Sequence, residues 1–536
     1  MKTITKIAAS LAGLTCALAL GDQTAPWPQA TGPASNYLPL EENGFSYIDH
    51  PTQAKRLWES EVQHFGFGKS LSSPVSKFYD LEQRYPGTHS GNGGTPVIAE
   101  GLLFFNSLRP AGPADEIIHE ERTLPEIERK VTRSIERGID PKEARALGER
   151  AKLMWRKGAE DLYFALDPKT GELKWEVTKP GVNLPNGKRD IWKPSPAYHK
   201  GKVFALGTTG IVRAFELKSG KMLWETDLAW TTEPLKRVSF ELDLLAADGR
   251  VIIPGPRPLA LDAETGEMVW KFEDKKVTVQ GKWANPSLWI HQDKSYLLYT
   301  DGHFENATLR LVDAATGAVV WERLTGGPMA DPPLLVGDVA FVTVAGKEHT
   351  YPHKGQKKTA LLPVRGGMRL SLKGPEELWR FPEDDVQFTY SPTPDKGVRR
   401  NASAGRDGVL YFFPNGAPVS PRFIYKINAK TGEILAKSHQ ADETPERGST
   451  KAPYVYEIGD HLLHFPSGAG GDHHFGRTNF RSSRSLEKVG DGVPFEQDNP
   501  NSNYEVFSEH PIADGRIYIR TYAGTIVCWD LRKEGP

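Results

Sequence analysis

Cysteine is nearly absent from this chain, with two residues in 536, Cys16 and Cys528. Cys16 falls in a leader expected to be removed, so the mature chain can form no intramolecular disulfide. Cys528 sits in an apolar strand and reads as a buried, inert thiol. Long apolar runs are missing too: Ile7 to Leu20 spans 14 residues, short of the roughly 20 needed to cross a bilayer, so no transmembrane segment is expected. Charge of one sign is not in excess, with 67 Lys and Arg against 68 Asp and Glu. A net charge of -1 gives no reason to expect nucleic acid or an anionic membrane as partner. No Gly-x-Ser-x-Gly elbow, P-loop or His-Glu-x-x-His motif occurs, so the chemistries those motifs carry have no signature here.

What is present begins with a leader. Lys2 and Lys6 precede the apolar run, and small residues at Ala17, Ala19 and Gly21 follow it. Residues 1–21 therefore read as a secretory signal peptide, and the protein is expected to be exported, to the periplasm or the extracellular space. Gly13-Leu14-Thr15 departs from the pattern that precedes a lipidated cysteine, so no lipid is expected at Cys16. Residues 22–44 contain Trp27-Pro28-Gln29 and Gly32-Pro33 and read as an N-terminal entry segment, against the plainer reading of a Pro-rich, poorly ordered start.

A repeat organises the rest. Asp167-Pro168-Lys169-Thr170-Gly171 follows an alternating strand and precedes another that carries Trp175. An Asp ahead of Thr-Gly is turn chemistry, because the carboxylate accepts a nearby backbone N–H and glycine takes a positive φ without strain. The pattern recurs at Glu216 to Gly220 with Trp224, at Asp262 to Gly266 with Trp270, and at Asp313 to Gly317 with Trp321. Asn428 to Gly432 repeats the turn, with Ala436 in place of the aromatic. The tryptophans are spaced about 50 residues apart, the period of propeller blades of four strands.

At these residues the chain resembles the pyrroloquinoline-quinone-like (PQQ-like) β-propeller repeat family, with its Ala-x-Asp-x-x-Thr-Gly-x-x-x-Trp signature. The resemblance spans about residues 45–533. It implies an all-β fold: an eight-bladed β-propeller of four-stranded antiparallel blades, with seven blades as the alternative if the irregular stretch 452–492 is only a loop. A strand at about 53–59, including Trp58, is expected to supply the missing fourth strand of the last blade, near 508–531. Capping boxes at Thr123-x-x-Glu126 and Asp140-x-x-Glu143 predict a helical hairpin inserted in the first blade at about 114–158. Trp58, Trp175, Trp224, Trp270, Trp321 and Trp379 are read as structural residues that dock one blade on the next.

The family contains quinone-dependent alcohol dehydrogenases and the propeller lipoprotein of outer-membrane barrel assembly, and the two imply different sites. The dehydrogenases hold PQQ over a calcium ion at the channel mouth, with an Asp as base. Carried onto this chain, that resemblance makes Asp331 the candidate base, Asn285, Trp283 and Asp331 the candidates for PQQ, and Asp301 and Glu305 further oxygen donors. Calcium takes six to eight oxygens. The adjacent cysteine pair common in those enzymes is missing here. Read from the residues alone, Asp472, His473 and His474, with His461 and His464 upstream, and Asp301, His303 and Glu305 are candidate metal groups, against the plainer reading of surface loop residues. The expectation is an exported, monomeric propeller that binds a protein or small-molecule ligand at one face as a binding or scaffolding module. The alternative is a PQQ- and calcium-dependent periplasmic oxidoreductase acting on alcohols or sugars. Metal-dependent chemistry at His473 and His474 is the third reading.

Overall fold

The computed structural model describes residues 25–40, 44–60, 94–114, 117–119, 122–138, 140–142, 144–145, 148, 156–183, 194–228, 243–254, 258–272, 286–301, 308–325, 333–353, 356–381, 402–412, 423–439, 454–465, 479–491, 509–520 and 526–533. Among them the chain forms eight four-stranded antiparallel sheets in ring order. The innermost strands, blades one to eight, are Val97–Ala99, Ala197–His199, Leu245–Ala247, Ser287–His291, Leu334–Val336, Ala402–Ala404, Tyr454–Ile458 and Ile512–Ala513. Seven blades run in sequence order from inside to outside. In the eighth, Lys55–Glu59 pairs antiparallel with Ile526–Asp530 as the outermost strand, so both ends of the repeat region share one sheet and the last blade has its full four strands. The stretch 454–491 forms a full blade of its own, which settles the count at eight.

Each predicted turn behaves as its residues require. Asp167 Oδ1 accepts the N–H of Lys169 at 2.8 Å, and Gly171 takes φ +76°. The glycine has a second reason to be glycine: a Cβ there would lie 2.5 Å from the Trp58 ring. The same closeness joins Gly220 to Trp175, Gly266 to Trp224, Gly317 to Trp270 and Gly432 to Trp379. Every docking indole also donates Nε1–H to the carbonyl just after the turn's first residue in the next blade. Trp175 reaches Leu217 O at 2.8 Å, Trp224 Ala263 O at 3.2 Å, Trp270 Ala314 O at 3.0 Å, Trp321 Ser371 O at 2.8 Å and Trp379 Ala429 O at 2.7 Å. Trp58 closes the ring on Pro168 O at 3.2 Å.

Two of the eight contacts lack tryptophan. Blade six carries Ala436 at that place, and the equivalent carbonyl of blade seven, Ser483 O, instead accepts Lys426 Nζ at 2.9 Å and the Tyr411 hydroxyl at 3.4 Å. Blade seven carries Gly490, where the His50 ring packs so closely that a Cβ would meet it at 2.1 Å. The equivalent carbonyl of blade eight, Leu531 O, takes the backbone N–H of Ile48 at 2.8 Å. The N-terminal stretch therefore supplies both the fourth strand of blade eight and the joint between blades seven and eight. The indoles are less enclosed than full wedges: of the six, only Trp270 is buried, and the others are half-buried.

Blades one and five stand taller than the rest. In blade one, Leu102–Ala114 pairs with Arg156–Leu166; in blade five, Val339–His353 pairs with Gln356–Arg369. Both extensions lie beyond the start of the innermost strand, so they rise from the face where the innermost strands begin. Four blades apart in a ring of eight, they face each other across the axis. The described part of the blade-one insertion includes the helix Leu124–Glu136, two short strands, Ile117–His119 and Arg122–Thr123, and a few helical positions between 141 and 148. Most of the second arm of the expected helical hairpin lies outside the described residues.

Candidate functional site at the channel mouth

Where the innermost strands begin, the connecting loops meet around the axis and hold one another by side chains. Thr95, Ser195 and Asp243 each stand two residues before an innermost strand, and Glu509 three before. The Thr95 hydroxyl donates to Glu509 Oε2, and Glu509 N–H donates back to Thr95 Oγ1 at 3.1 Å. Thr95 N–H donates to Ser195 Oγ at 2.9 Å, and the Ser195 hydroxyl donates to Asp243 Oδ1 at 2.5 Å. One line of hydrogen bonds thus runs from blade eight through blades one and two to blade three, with a carboxylate at each end. Thr95, Ser195 and Glu509 are buried and Asp243 is half-buried. The backbones approach so closely that Gly94 admits no Cβ, which would fall 2.0 Å from Ser195 Cα. Both hydroxyls are committed to carboxylates, an arrangement that fixes loops and orients carboxylate oxygens instead of activating a nucleophile through an imidazole.

Beside this line, between blades one and two, lies a buried ion pair. Asp161, fully buried, accepts from Thr208 N–H at 2.9 Å and from the Thr208 hydroxyl at 2.8 Å. Arg213 Nη1 stands 3.4 Å from Asp161 Oδ2 and donates to Tyr163 OH at 2.8 Å, while its Nε reaches Glu225 at 3.2 Å. Burial first, and the Asp161 carboxylate second, push the Tyr163 hydroxyl well above its ordinary range, so it stays protonated. On the neighbouring strand of blade one, directly opposite Tyr163, Asn106 is fully buried with no hydrogen-bond partner on either amide atom.

The other end of the channel is filled. Segment 25–40 pairs as a β-bridge with the innermost strand of blade one, Trp27 with Ile98. It accepts Tyr198 N–H of blade two at Pro28 O, 2.8 Å, and Ala404 N–H of blade six at Asn36 O, 3.1 Å. Trp27 stands edge-on to Tyr456 of blade seven at 6.2 Å. Blades two and six are diametrically opposed, so one segment can bond both only by lying across the axis. Ile98 is three residues beyond Thr95, about 10 Å along an extended chain, which places this plug below the mouth. Innermost strands leave a free backbone edge toward the axis, and the plug satisfies part of it. The segment is a buried structural element, with Trp27 and Ala30 fully enclosed.

The residues singled out from sequence fare unevenly. Trp58, Trp175, Trp224, Trp270, Trp321 and Trp379 each donate to a carbonyl of the next blade. Asp301 ends the second strand of blade four, Lys294–Asp301. Asn285, Trp283, Asp331, His303, Glu305, Asp472, His473 and His474 lie outside the described residues. Trp289 is a joint residue: its Nε1 donates to Asp338 of blade five at 3.3 Å and its ring stacks on His291 at 4.6 Å. His461 and His464 share one strand, and alternation turns them to opposite faces. Among the described residues no group of three or more His, Cys, Asp or Glu is placed to hold a metal. The sequence reading passed over Thr95, Asp243, Glu509 and Asn106, whose only signal is position just before or within blade strands.

A family profile described as PQQ_2, outer membrane protein assembly factor BamB, matches residues 158–373 and 257–446, together more than half of the chain. The chain belongs to the PQQ-like β-propeller family. Within that family it is 25% identical over 423 residues to the dehydrogenase subunit of the quinone alcohol dehydrogenase of Gluconacetobacter polyoxogenes, which covers 69% of this chain and 53% of that protein. It is 30% identical over 114 residues, 20% of this chain and 26% of the relative, to the outer membrane protein assembly factor BamB of Kangiella koreensis. The chain thus spans about half the length of the dehydrogenase relative, or less of the other. Among solved structures, the quinohemoprotein alcohol dehydrogenase of Comamonas testosteroni superposes with a TM-score of 0.51 at 11% identity, covering 96% of this chain and 81% of that one; the likeness is one of fold.

Proposed function

We propose that this PQQ-like propeller is an exported binding module that engages its ligand at the channel mouth, between the raised strands of blades one and five. The observation that carries the reading is the contrast between the two channel ends. One is closed by segment 25–40, and the other gathers the loops of blades eight, one, two and three around oriented carboxylates. Protein assembly by the BamB relative supports a scaffolding role. No helix among the described residues is long and apolar enough to cross a membrane, in keeping with an exported domain. The test is turnover of alcohols and sugars with an artificial electron acceptor, after incubation with PQQ and calcium. The binding reading expects none, and saturable turnover would overturn it.

A second reading is supported by the dehydrogenase relatives: a PQQ- and calcium-dependent oxidoreductase using Asn285 and Asp331. In the sequence, Asn285 comes two residues before the innermost strand of blade four and Asp331 three before that of blade five. Among the described residues no group of three or more His, Cys, Asp or Glu is placed to hold calcium, and the mouth carboxylates of Glu509 and Asp243 are bonded to Thr95 and Ser195. The oxidoreductase reading therefore stands or falls on Asn285 and Asp331. Loss of PQQ binding in Asp331→Ala and Asn285→Ala would support it; binding unchanged in both would remove it.

A further inference from the structure

Segment 25–40 is held as a bound peptide is held. Its contacts to the ring are backbone hydrogen bonds to the free inner edges of blades one, two and six, the mode by which extended peptides add to an exposed strand edge. One large side chain provides the anchor: Trp27 is wholly enclosed against Tyr456 and its own Gly32, whose added Cβ would stand 3.3 Å from the indole. The anchor is flanked by Pro26 and Pro28, which bias the chain toward extended conformations before it binds and lower the entropy lost on docking. Beyond the anchor the segment folds on itself, with Gln29 Nε2 donating to Ser35 Oγ at 2.7 Å and to Gly32 O at 3.2 Å. The fit is incomplete: Trp27 Nε1 and Thr31 Oγ1 are buried without a hydrogen-bond partner.

We propose that the axial channel is a peptide-binding site and that residues 25–40 are its resident ligand. The channel takes, in trans, an extended peptide with a tryptophan between prolines, read by pairing to the inner strand edges and by a pocket for the indole beside Tyr456. This site lies at the far end of the channel from the mouth and is independent of what the mouth binds. Its orphaned indole N–H and hydroxyl leave room for a competitor that makes the bonds the resident segment leaves unmade.

The test uses the full chain with a protease site placed at residues 41–43. After cleavage of the folded protein, a fluorescent synthetic peptide of residues 25–40 is added, and exchange is followed by anisotropy and by mass spectrometry of the displaced segment. The expected result is saturable exchange well below the onset of thermal unfolding, with competition weakened at least tenfold by Trp27→Ala in the peptide. Should cleavage destabilise the ring, the uncut Trp27→Ala chain is offered the same labelled peptide and is expected to bind it where the wild-type chain does not. A cleaved segment that exchanges only as the ring unfolds, exchange equal for wild-type and Trp27→Ala peptides, or no uptake by the uncut variant would overturn the proposal.

Discussion

The indole N–H of Trp58 donates to the carbonyl oxygen of Pro168, 3.2 Å away and 110 residues along the chain. That bond joins the outermost strand of blade eight to the turn of blade one and so closes the ring, while Gly171 lies flat against the same indole. Trp58→Ala removes both contacts. A half-buried indole loses less than the 3 to 5 kcal/mol of a core aromatic, so a cost of about 2 to 3 kcal/mol is expected, read as a lowered midpoint in thermal or urea denaturation. Gly171→Ala should cost a comparable amount, because the new methyl meets both a positive φ and the ring. A midpoint within error of wild type in both variants would contradict this joint.

Arg213 and Asp161 predict a non-additive pair. Arg213→Ala leaves a buried carboxylate without its cation and should cost about 3 to 5 kcal/mol. Replacing both, as Arg213→Met with Asp161→Leu, should cost less than the sum of the two single changes, though Asp161→Leu also leaves the Thr208 donors unpaired. Additive losses in the double-mutant cycle would show that the two side chains act separately.

The mouth is tested by Thr95→Val, which keeps the shape and removes the hydroxyl that donates to the Glu509 carboxylate and accepts the Glu509 N–H. With a buried carboxylate left short of a donor, a loss of about 1 to 3 kcal/mol is expected. Thr95→Ser should restore most of it. Equal losses in the two variants would mean that the methyl, and not the hydroxyl, is what matters.

Acid should loosen the seam between the chain ends. Burial works to raise the Asp530 carboxyl, but hydrogen bonds and charge from Arg532 outweigh it and hold the carboxyl below its ordinary value of 3.8. A group depressed in the folded state adds stability above its unfolded value and loses it as pH falls through the folded one. Stability is therefore expected to decline below about pH 4, with a shallower decline in Asp530→Asn. An unchanged slope in that variant would remove Asp530 from the account.

The ring was legible because its turns are local. Asp, Thr and Gly at fixed offsets specify a tight turn without outside help, and the following tryptophan marks the outer strand, so blades one to four are plain in the sequence. Blade seven was ambiguous for a physical reason: Leu486, at φ +64°, occupies the glycine place, Gly490 the tryptophan place, and the docking is supplied from Ile48 and His50, more than 400 residues away. The mouth was only half legible. Ser195 could be placed at a strand start, but Thr95, Asp243 and Glu509 become a site only through contacts between blades, which spacing along the chain does not encode. The place of Trp27 was not legible either, because proline-rich composition describes an isolated segment, and here the surrounding strands supply the order.

Ser46, Tyr47 and Ile48 lie antiparallel to Leu531, Arg532 and Lys533, joined by Ile48 N–H to Leu531 O at 2.8 Å and Lys533 N–H to Ser46 O at 2.7 Å. Tension applied between these two stretches from their outer ends, Ser46 and Lys533, loads the bonds in series, like a zip, and parts them one at a time at low force. A cargo fused after Lys533 would therefore hang from blade eight, and mechanical failure would begin there, at the joint made without tryptophan.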